Sequence, residues 1–153
     1  MKVLVTGANG FIGSNLSKTL AQAGHSVGAF ILKNTTYENI SAYVSDVTVG
    51  DITNEKDCRH SLKGVDVVFH LAAIANDYIS KELALKVNYG GTVNMLKEAS
   101  NAGVKRFVLV SSLSVHHFRG YRNGDENELR DGYLTPYAYS KIRAEDAVND
   151  FHR

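Results

Sequence analysis

Lys2-Val3-Leu4-Val5-Thr6-Gly7-Ala8-Asn9-Gly10-Phe11-Ile12-Gly13 is the stretch that decides the fold. Its short apolar run ends at a glycine, which suits a buried parallel strand. Phe11 to Ala23 follows, with Ile12, Leu16 and Leu20 at helical spacing and Gly24 as a stop signal. Between strand and helix stand Gly7, Gly10 and Gly13 in a G-x-x-G-x-x-G pattern. One glycine permits the tight turn, another lets the backbone approach a pyrophosphate, and the third lets helix and strand pack closely. The helix N-terminus then offers unpaired N–H groups and a partial positive charge to the phosphates. The bland alternative is a tight turn in any α/β protein. The strand–turn–helix setting favours a dinucleotide cradle.

Working outward, Val27 to Leu32 is a second apolar run, and residues 33 to 43 are polar, aromatic and irregular. Val44 to Val49 is a weaker third strand leading into Gly50-Asp51. Asn54 to Leu62 forms a short helix that Gly64 can end, and Val65 to Ala73 is a strongly apolar fourth strand. Ile79 to Ala102 reads as one long helix, with Leu83, Val87, Met95 and Ala99 on related faces. Arg106 to Ser111 is a fifth strand, and residues 114 to 134, rich in Gly, Asn and Asp, form a loop. Pro136 opens a final helix, where proline belongs in the first turn. Alternating strands and helices imply an α/β fold with a parallel sheet covered on both faces. Right-handed crossovers give the strand order 3-2-1-4-5 of a doubly wound, Rossmann-like sheet.

The chain has 153 residues, which fits a single domain over 1–153. Its formal net charge of +1 gives no global field toward nucleic acid or a membrane surface. A single cysteine, Cys58, excludes an internal disulfide and is expected to be a buried, inert thiol. The N-terminus enters a strand at once, which is unlike a signal peptide, and no apolar run approaches ~18 residues. A cytoplasmic, soluble protein is expected. The six histidines show no metal spacing with Cys or carboxylates.

The glycine turn resembles that of the short-chain dehydrogenase/reductase superfamily. Its spacing and Phe11-Ile12 are similar to the extended branch, the NAD-dependent epimerases and dehydratases that include nucleotide-sugar enzymes. Further segments match in order. Gly50-Asp51-Ile52 resembles the family's adenine-contacting turn, and Asp66-Val67-Val68-Phe69-His70-Leu71-Ala72-Ala73 resembles its fourth strand. Val87-Asn88 with Gly91-Thr92 resembles its fourth-helix motif. The resemblance implies cofactor contacts at Gly7, Asn9, Gly10, Phe11, Ile12, Gly13, Asp51 and Ile52. It implies others at Leu71, Ala72 and Ala73 beneath the adenine ribose, and at Asn88, the asparagine that also has a structural part in the family's fourth helix. NAD or NADP is decided mainly at the end of the second strand, where an acid holds the ribose 2′-OH and a base accommodates a 2′-phosphate. From His25 to Tyr37 there is no Asp or Glu, and Lys33 sits just past the strand. That leans the reading to NADP, unless Lys33 is simply a solvated loop lysine.

Tyr137-Ala138-Tyr139-Ser140-Lys141, preceded by Ser111-Ser112, supplies hydroxyls and an ammonium. Tyr137 and Lys141 are four apart on a helix and share one face. A phenol normally titrates near ~10, and a nearby cation favours the phenolate. Tyr137 can then exchange a proton with a substrate oxygen. The alternatives are a core aromatic at Tyr137 and a solvated helix lysine at Lys141. Tyr139 competes as the tyrosine but lacks a lysine four residues on. By resemblance, Lys141 and Tyr137 also meet the cofactor, and Ser112 bonds the reacting oxygen. The family often continues into a Tyr-Gly pair where this chain has His116-His117, which changes the substrate side of the pocket.

Extended family members are about twice this length, so the chain is expected to hold the cofactor site and the Ser-Tyr-Lys set without the substrate lobe. That leads to a small-molecule substrate such as a nucleotide sugar, no turnover by this stretch alone, and an uncovered fifth strand. A homodimer would pair the helices at 79–102 and 136–152. The alternatives are a non-catalytic NAD(P)-binding or regulatory module, and a fragment that folds only with a missing partner.

Overall fold

The computed structural model describes residues 1–116, 124, 125 and 127–152. His117 and part of the 114–134 loop therefore lie outside the described residues. Five strands form one parallel sheet in the order β3-β2-β1-β4-β5. They are β1 (Lys2–Thr6), β2 (Ser26–Ile31), β3 (Asp46–Val49), β4 (Val67–His70) and β5 (Arg106–Leu109). The expected order is the observed one, and β5 occupies an edge of the sheet.

Two cores follow from alternation along the strands. Val3, Val5, Val27, Ala29 and Ile31 face α1 (Phe11–Gln22), where Leu16, Leu20 and Ala21 cover them. Leu4, Phe30 and Val68 face the opposite way, with Cys58, Leu62, Met95 and Ala99. Those last residues belong to or flank α2 (Glu55–Ser61) and α4 (Gly91–Asn101). Cys58 is fully buried, donates from Sγ to the Ile52 carbonyl at 3.3 Å, and has its thiol pushed up to about 12 by burial, then by Asp57. It is an inert core thiol, as its sequence context suggests.

Several element boundaries differ from the sequence reading, among them the third strand, which starts at Asp46 rather than Val44. The fourth strand stops at His70 instead of running to Ala73, because the N–H groups of Leu71 and Ala72 bond to Thr6 Oγ1 rather than to a neighbouring strand. The fifth stops at Leu109, short of Ser111. The long helix starts at Lys81, capped by Ser80, and is not one regular helix. It runs as α3 (Lys81–Ala84), a π-helical segment (Leu85–Gly90) and α4. The π segment contains Asn88, whose buried amide is pulled onto Ile74 and Ser140. Propensity carries no signal for such a segment; side-chain demand at one residue creates it. The final helix, α5 (Pro136–His152), opens on Pro136 as expected, and Thr135 Oγ1 accepts from the Ala138 N–H at 3.1 Å.

Candidate active site

The glycine turn is built by close approach. Gly7 adopts φ +65°, and a Cβ on it would stand 3.1 Å from the Ala72 backbone. A Cβ on Gly13 would meet the Gly7 carbonyl oxygen and lie 2.9 Å from Ala8 Cα. So Gly7 supplies the turn and Gly13 the close packing of α1 on β1. Gly10 is the N-cap of α1 and provides no side-chain cap. By contrast, α2 is capped by Asn54 and α3 by Ser80. The first-turn N–H groups of α1 are thus left to an external acceptor. Phe11 and Ile12 stand in that first turn with exposed side chains.

In front of the turn lies a cavity of about 300 Å³. Gly7, Asn9, Asp51, Ile52, Ala72 and Ala73, all expected at the cofactor, line it together. Asp51 Oδ1 accepts from Thr53 N at 2.8 Å, which fixes the carboxylate at the rim. Asn9 Nδ2 donates to the Thr36 carbonyl at 2.7 Å, and Asn39 donates to the Asn9 carbonyl at 3.1 Å. The polar loop after β2 is thereby tied to the turn. Lys33 sits exposed on that loop, beside Leu32 of the cavity wall. Leu71 turns its side chain into the core on the α1 side. Asn88 is 1% exposed and lies behind the cavity rather than in its lining. Sequence reasoning missed Phe30, Leu32, Gly50, Ile74 and Val87 as lining residues. Phe30 was findable from strand alternation; Ile74 and Val87 depend on the irregular path after β4 and on the π segment.

The Ser-Tyr-Lys set stands where β5 ends and α5 begins. Lys141 is 4% exposed and donates from Nζ to the Val110 carbonyl at 2.8 Å. Burial lowers it from 10.5 to about 8, with Glu145 opposing. It is not a solvated helix lysine. Tyr137, one turn earlier on the same face, is half-buried. Ser140 Oγ donates to the Tyr137 carbonyl at 2.7 Å and accepts from Asn88 Nδ2 at 2.9 Å, fixing that turn of α5 to the π segment. Ser112 Oγ lies 2.8 Å from Ser114 Oγ. Ser111 behaves differently. Its buried Oγ has no hydrogen bond among the described residues, and it lines a groove beside β5. His116 lines the same groove, and its Nδ1 is 3.3 Å from the Leu129 carbonyl. Among the described residues no three His, Cys, Asp or Glu cluster to hold a metal, and no helix is long and apolar enough to cross a membrane.

The room at Gly7, the uncapped α1 terminus and the cavity wall fit a dinucleotide. A comparison with known proteins agrees. The chain is 37% identical to the 3 beta-hydroxysteroid dehydrogenase/Delta 5-->4-isomerase of Mycobacterium tuberculosis, over 96% of this chain and 42% of that protein. It matches the UDP-glucose 4-epimerase of Thermotoga maritima, solved with UDP-glucose, with a TM-score of 0.87 and 27% identity, over 100% of this chain and 52% of the other. The Thermus thermophilus UDP-glucose 4-epimerase, solved with NAD, matches with a TM-score of 0.84 and 28% identity, over 99% and 50%. The chain thus spans about half the length of these relatives. The model of the NAD dependent epimerase/dehydratase family matches residues 3–153, so the chain with this cradle and this Tyr-Lys helix belongs to that family.

Proposed function

We propose that this chain is the cofactor-holding part of an NAD(P)-dependent epimerase, dehydratase or reductase, with Tyr137 as its acid/base. The observation that carries the reading is the pairing of two features in one fold. A glycine-built cavity stands at the ends of β1, β2 and β4, and a buried lysine stands one helical turn from Tyr137 at the end of β5. When bound, the nicotinamide ring accepts or supplies a hydride.

This chain's residues would do the rest. The α1 terminus and Gly10 would receive the pyrophosphate, Asp51 and Ile52 the adenine end, and Ala72 and Ala73 the adjoining ribose. Lys141, fixed to the Val110 carbonyl, would place its remaining N–H groups toward the nicotinamide ribose and keep a positive charge near the Tyr137 phenol. Ser112 Oγ would hold the reacting oxygen while Tyr137 exchanges its proton. The substrate would carry a secondary alcohol or ketone, on a nucleotide sugar or a sterol-like ring, as the relatives' names suggest. We read the cofactor as NADP(H), because no acid stands between His25 and Tyr37 and Lys33 is exposed on the loop tied to Asn9. The NAD of the Thermus structure marks the competing choice. Pairing of the 79–102 and 136–152 helices in a homodimer belongs to the same proposal.

The stretch by itself is expected to bind nucleotide without turning over substrate. Positioning contributes roughly 7–11 kcal/mol to such reactions, and the relatives carry about half their length outside the aligned part. The test is calorimetric titration of wild type and Gly10→Val with NADPH and NADH, followed by turnover assays on nucleotide sugars, hydroxysteroids and small ketones. Equal affinity in wild type and variant would remove the cradle assignment. Robust turnover by the 153-residue chain would show that it closes the site by itself.

A further inference from the structure

One buried chain of polar groups runs from the cavity wall to the helix that carries Tyr137, and its centre is His70. The imidazole is 1% exposed and packs against the Phe107 ring at 5.6 Å. Its Nδ1 lies 2.9 Å from Thr6 Oγ1, and its Nε2 lies 3.1 Å from Thr92 Oγ1.

Hydrogen counting orders this chain completely. Thr92 has one hydroxyl hydrogen, and a carbonyl can only accept, so Thr92 donates to the Asn88 carbonyl at 2.6 Å. Nε2 must then be the donor to Thr92 and carry the ring proton. That leaves a lone pair on Nδ1, so Thr6 donates to it. The Thr6 oxygen in turn accepts the N–H groups of Leu71 at 3.1 Å and Ala72 at 3.0 Å. At the other end, Asn88 Oδ1 accepts from Ile74 N at 2.8 Å. Its two amide hydrogens go to the Ile74 carbonyl and to Ser140 Oγ, and Ser140 donates to the Tyr137 carbonyl.

We propose that His70 is a positioning residue: a neutral imidazole, protonated on Nε2, that ties the cavity wall at Leu71–Ala72 to the π segment and the turn of α5 bearing Tyr137. The functional sense rests on the nicotinamide-nucleotide reading above. The Thr6 branch holds the chain leaving β4 against Gly7, where the cavity wall is made. The Thr92 branch holds Asn88, and through it Ile74 and Ser140. An imidazolium would aim a second N–H at a Thr6 oxygen whose two lone pairs are already engaged. Burial, with the Lys141 ammonium of α5 adding to it, holds His70 down to about 3, in keeping with that geometry.

The test separates the two branches. A glutamine amide reaches about as far as Nε2 and an asparagine amide about as far as Nδ1. So His70→Gln keeps the Thr92 branch and His70→Asn keeps the Thr6 branch. Imidazole ¹⁵N spectra of the wild type should show the Nε2–H tautomer, unchanged between pH 5 and 8. Amide exchange should quicken at Leu71 and Ala72 in His70→Gln, and at Ile74 in His70→Asn. NADPH binding should weaken about tenfold in the first variant, the loss expected for one buried hydrogen bond, and stay within about twofold in the second.

Where those variants fold poorly, Thr92→Val removes only the hydroxyl. It should quicken Ile74 exchange and leave Leu71 and Ala72 unchanged. An Nδ1–H tautomer, an imidazole titrating in that pH range, or equal quickening of both branches would overturn the proposal. If wild type binds neither NADPH nor NADH, the nucleotide reading falls, while the imidazole spectrum and the exchange pattern still decide the role of His70.

Discussion

The two ends of the site are built by different means. At the cradle, the constraint is room for backbone. Gly7 faces Ala72, Gly13 faces Gly7 and Ala8, and α1 starts without a side-chain cap. At the reactive end, side chains meet across long stretches of sequence. Lys141 reaches the Val110 carbonyl over 31 positions, and Asn88 reaches Ser140 over 52. The cradle therefore needs only backbones lying side by side, with Gly7 between the Phe30 carbonyl of β2 and the chain that leaves β4. The reactive end exists only when β5, the π segment and α5 have docked. The difference teaches that backbone room and side-chain placement fail differently, the first through packing and the second through chemistry.

The largest expected effect tests the reactive end. Tyr137→Phe keeps the ring and removes the exchangeable proton. Turnover on the best substrate from the assay panel should fall by about 10²–10⁴-fold. Thermal stability should hardly move, because among the described residues it is the Tyr137 carbonyl, accepting from Ser140 Oγ, and not the phenol that holds this turn of α5. Unchanged turnover would take the acid/base role away from Tyr137.

Gly13→Val tests the cradle in the opposite sense. Its side chain would drive into Gly7 and Ala8, both backbone, which cannot yield as a flexible side chain can. Overpacking of this kind costs typically 1–3 kcal/mol, so a fall in stability of about 3 kcal/mol is expected. Nucleotide binding should fall with it, since α1 can no longer sit on β1. A variant with native stability and native affinity would show that α1 does not need this close approach.

What was legible in the sequence follows the same division. The strand order, the glycine turn and the residues that line the cavity at Asp51, Ala72 and Ala73 were readable. The first two rest on local patterns, apolar runs and glycines at a strand–helix junction, whereas the lining residues rest on the family resemblance. The residue types of Ser112, Tyr137 and Lys141 were readable too, but not the burial of Lys141 or its bond to Val110. The solvated alternative for Lys141 falls only once α5 is seen to pack on the π segment and bring Nζ to the Val110 carbonyl. The π segment and the short β4 were invisible, since both result from one polar side chain capturing backbone groups, Asn88 at Ile74 and Thr6 at Leu71 and Ala72. His70 looked like part of an apolar strand, and its role emerges only with Thr6 and Thr92 on either side.

Lys141→Met sharpens the contrast, because it should improve stability while removing function. The folded value of about 8 lies below the ordinary 10.5, so the folded chain binds fewer protons than the unfolded chain between those two values. Stability should rise as pH climbs from 8 to 10.5, and below 8 the whole penalty of burying the charge is present. Removing the amine relieves that penalty and gives up the bond to the Val110 carbonyl, worth about 1 kcal/mol. A net gain of about 2 kcal/mol at pH 7, shrinking toward pH 10.5, is expected from denaturant unfolding at several pH values. A variant less stable than wild type at pH 7 would mean that the ammonium is held by more than one carbonyl.

The smallest effect lies at the outer rim of the cradle, where neither backbone room nor buried chemistry is at stake. Lys33 is exposed on the loop that Asn9 holds through the Thr36 carbonyl, and Asn34 beside it adopts φ +65°. The loop is therefore shaped and anchored, while the Lys33 ammonium stays in water. Exposed ion pairs are worth at most about 1 kcal/mol. Lys33→Gln should thus weaken NADPH by about three- to fivefold and leave NADH unchanged, as read by fluorescence titration. The gap should close in high salt, since at 1 M the screening length falls to about 3 Å. If the wild type binds NADH more tightly than NADPH at physiological salt, the absence of an acid between His25 and Tyr37 does not select the phosphate. The choice of cofactor then has to come from backbone groups of the loop that Asn9 and Asn39 tie to the turn.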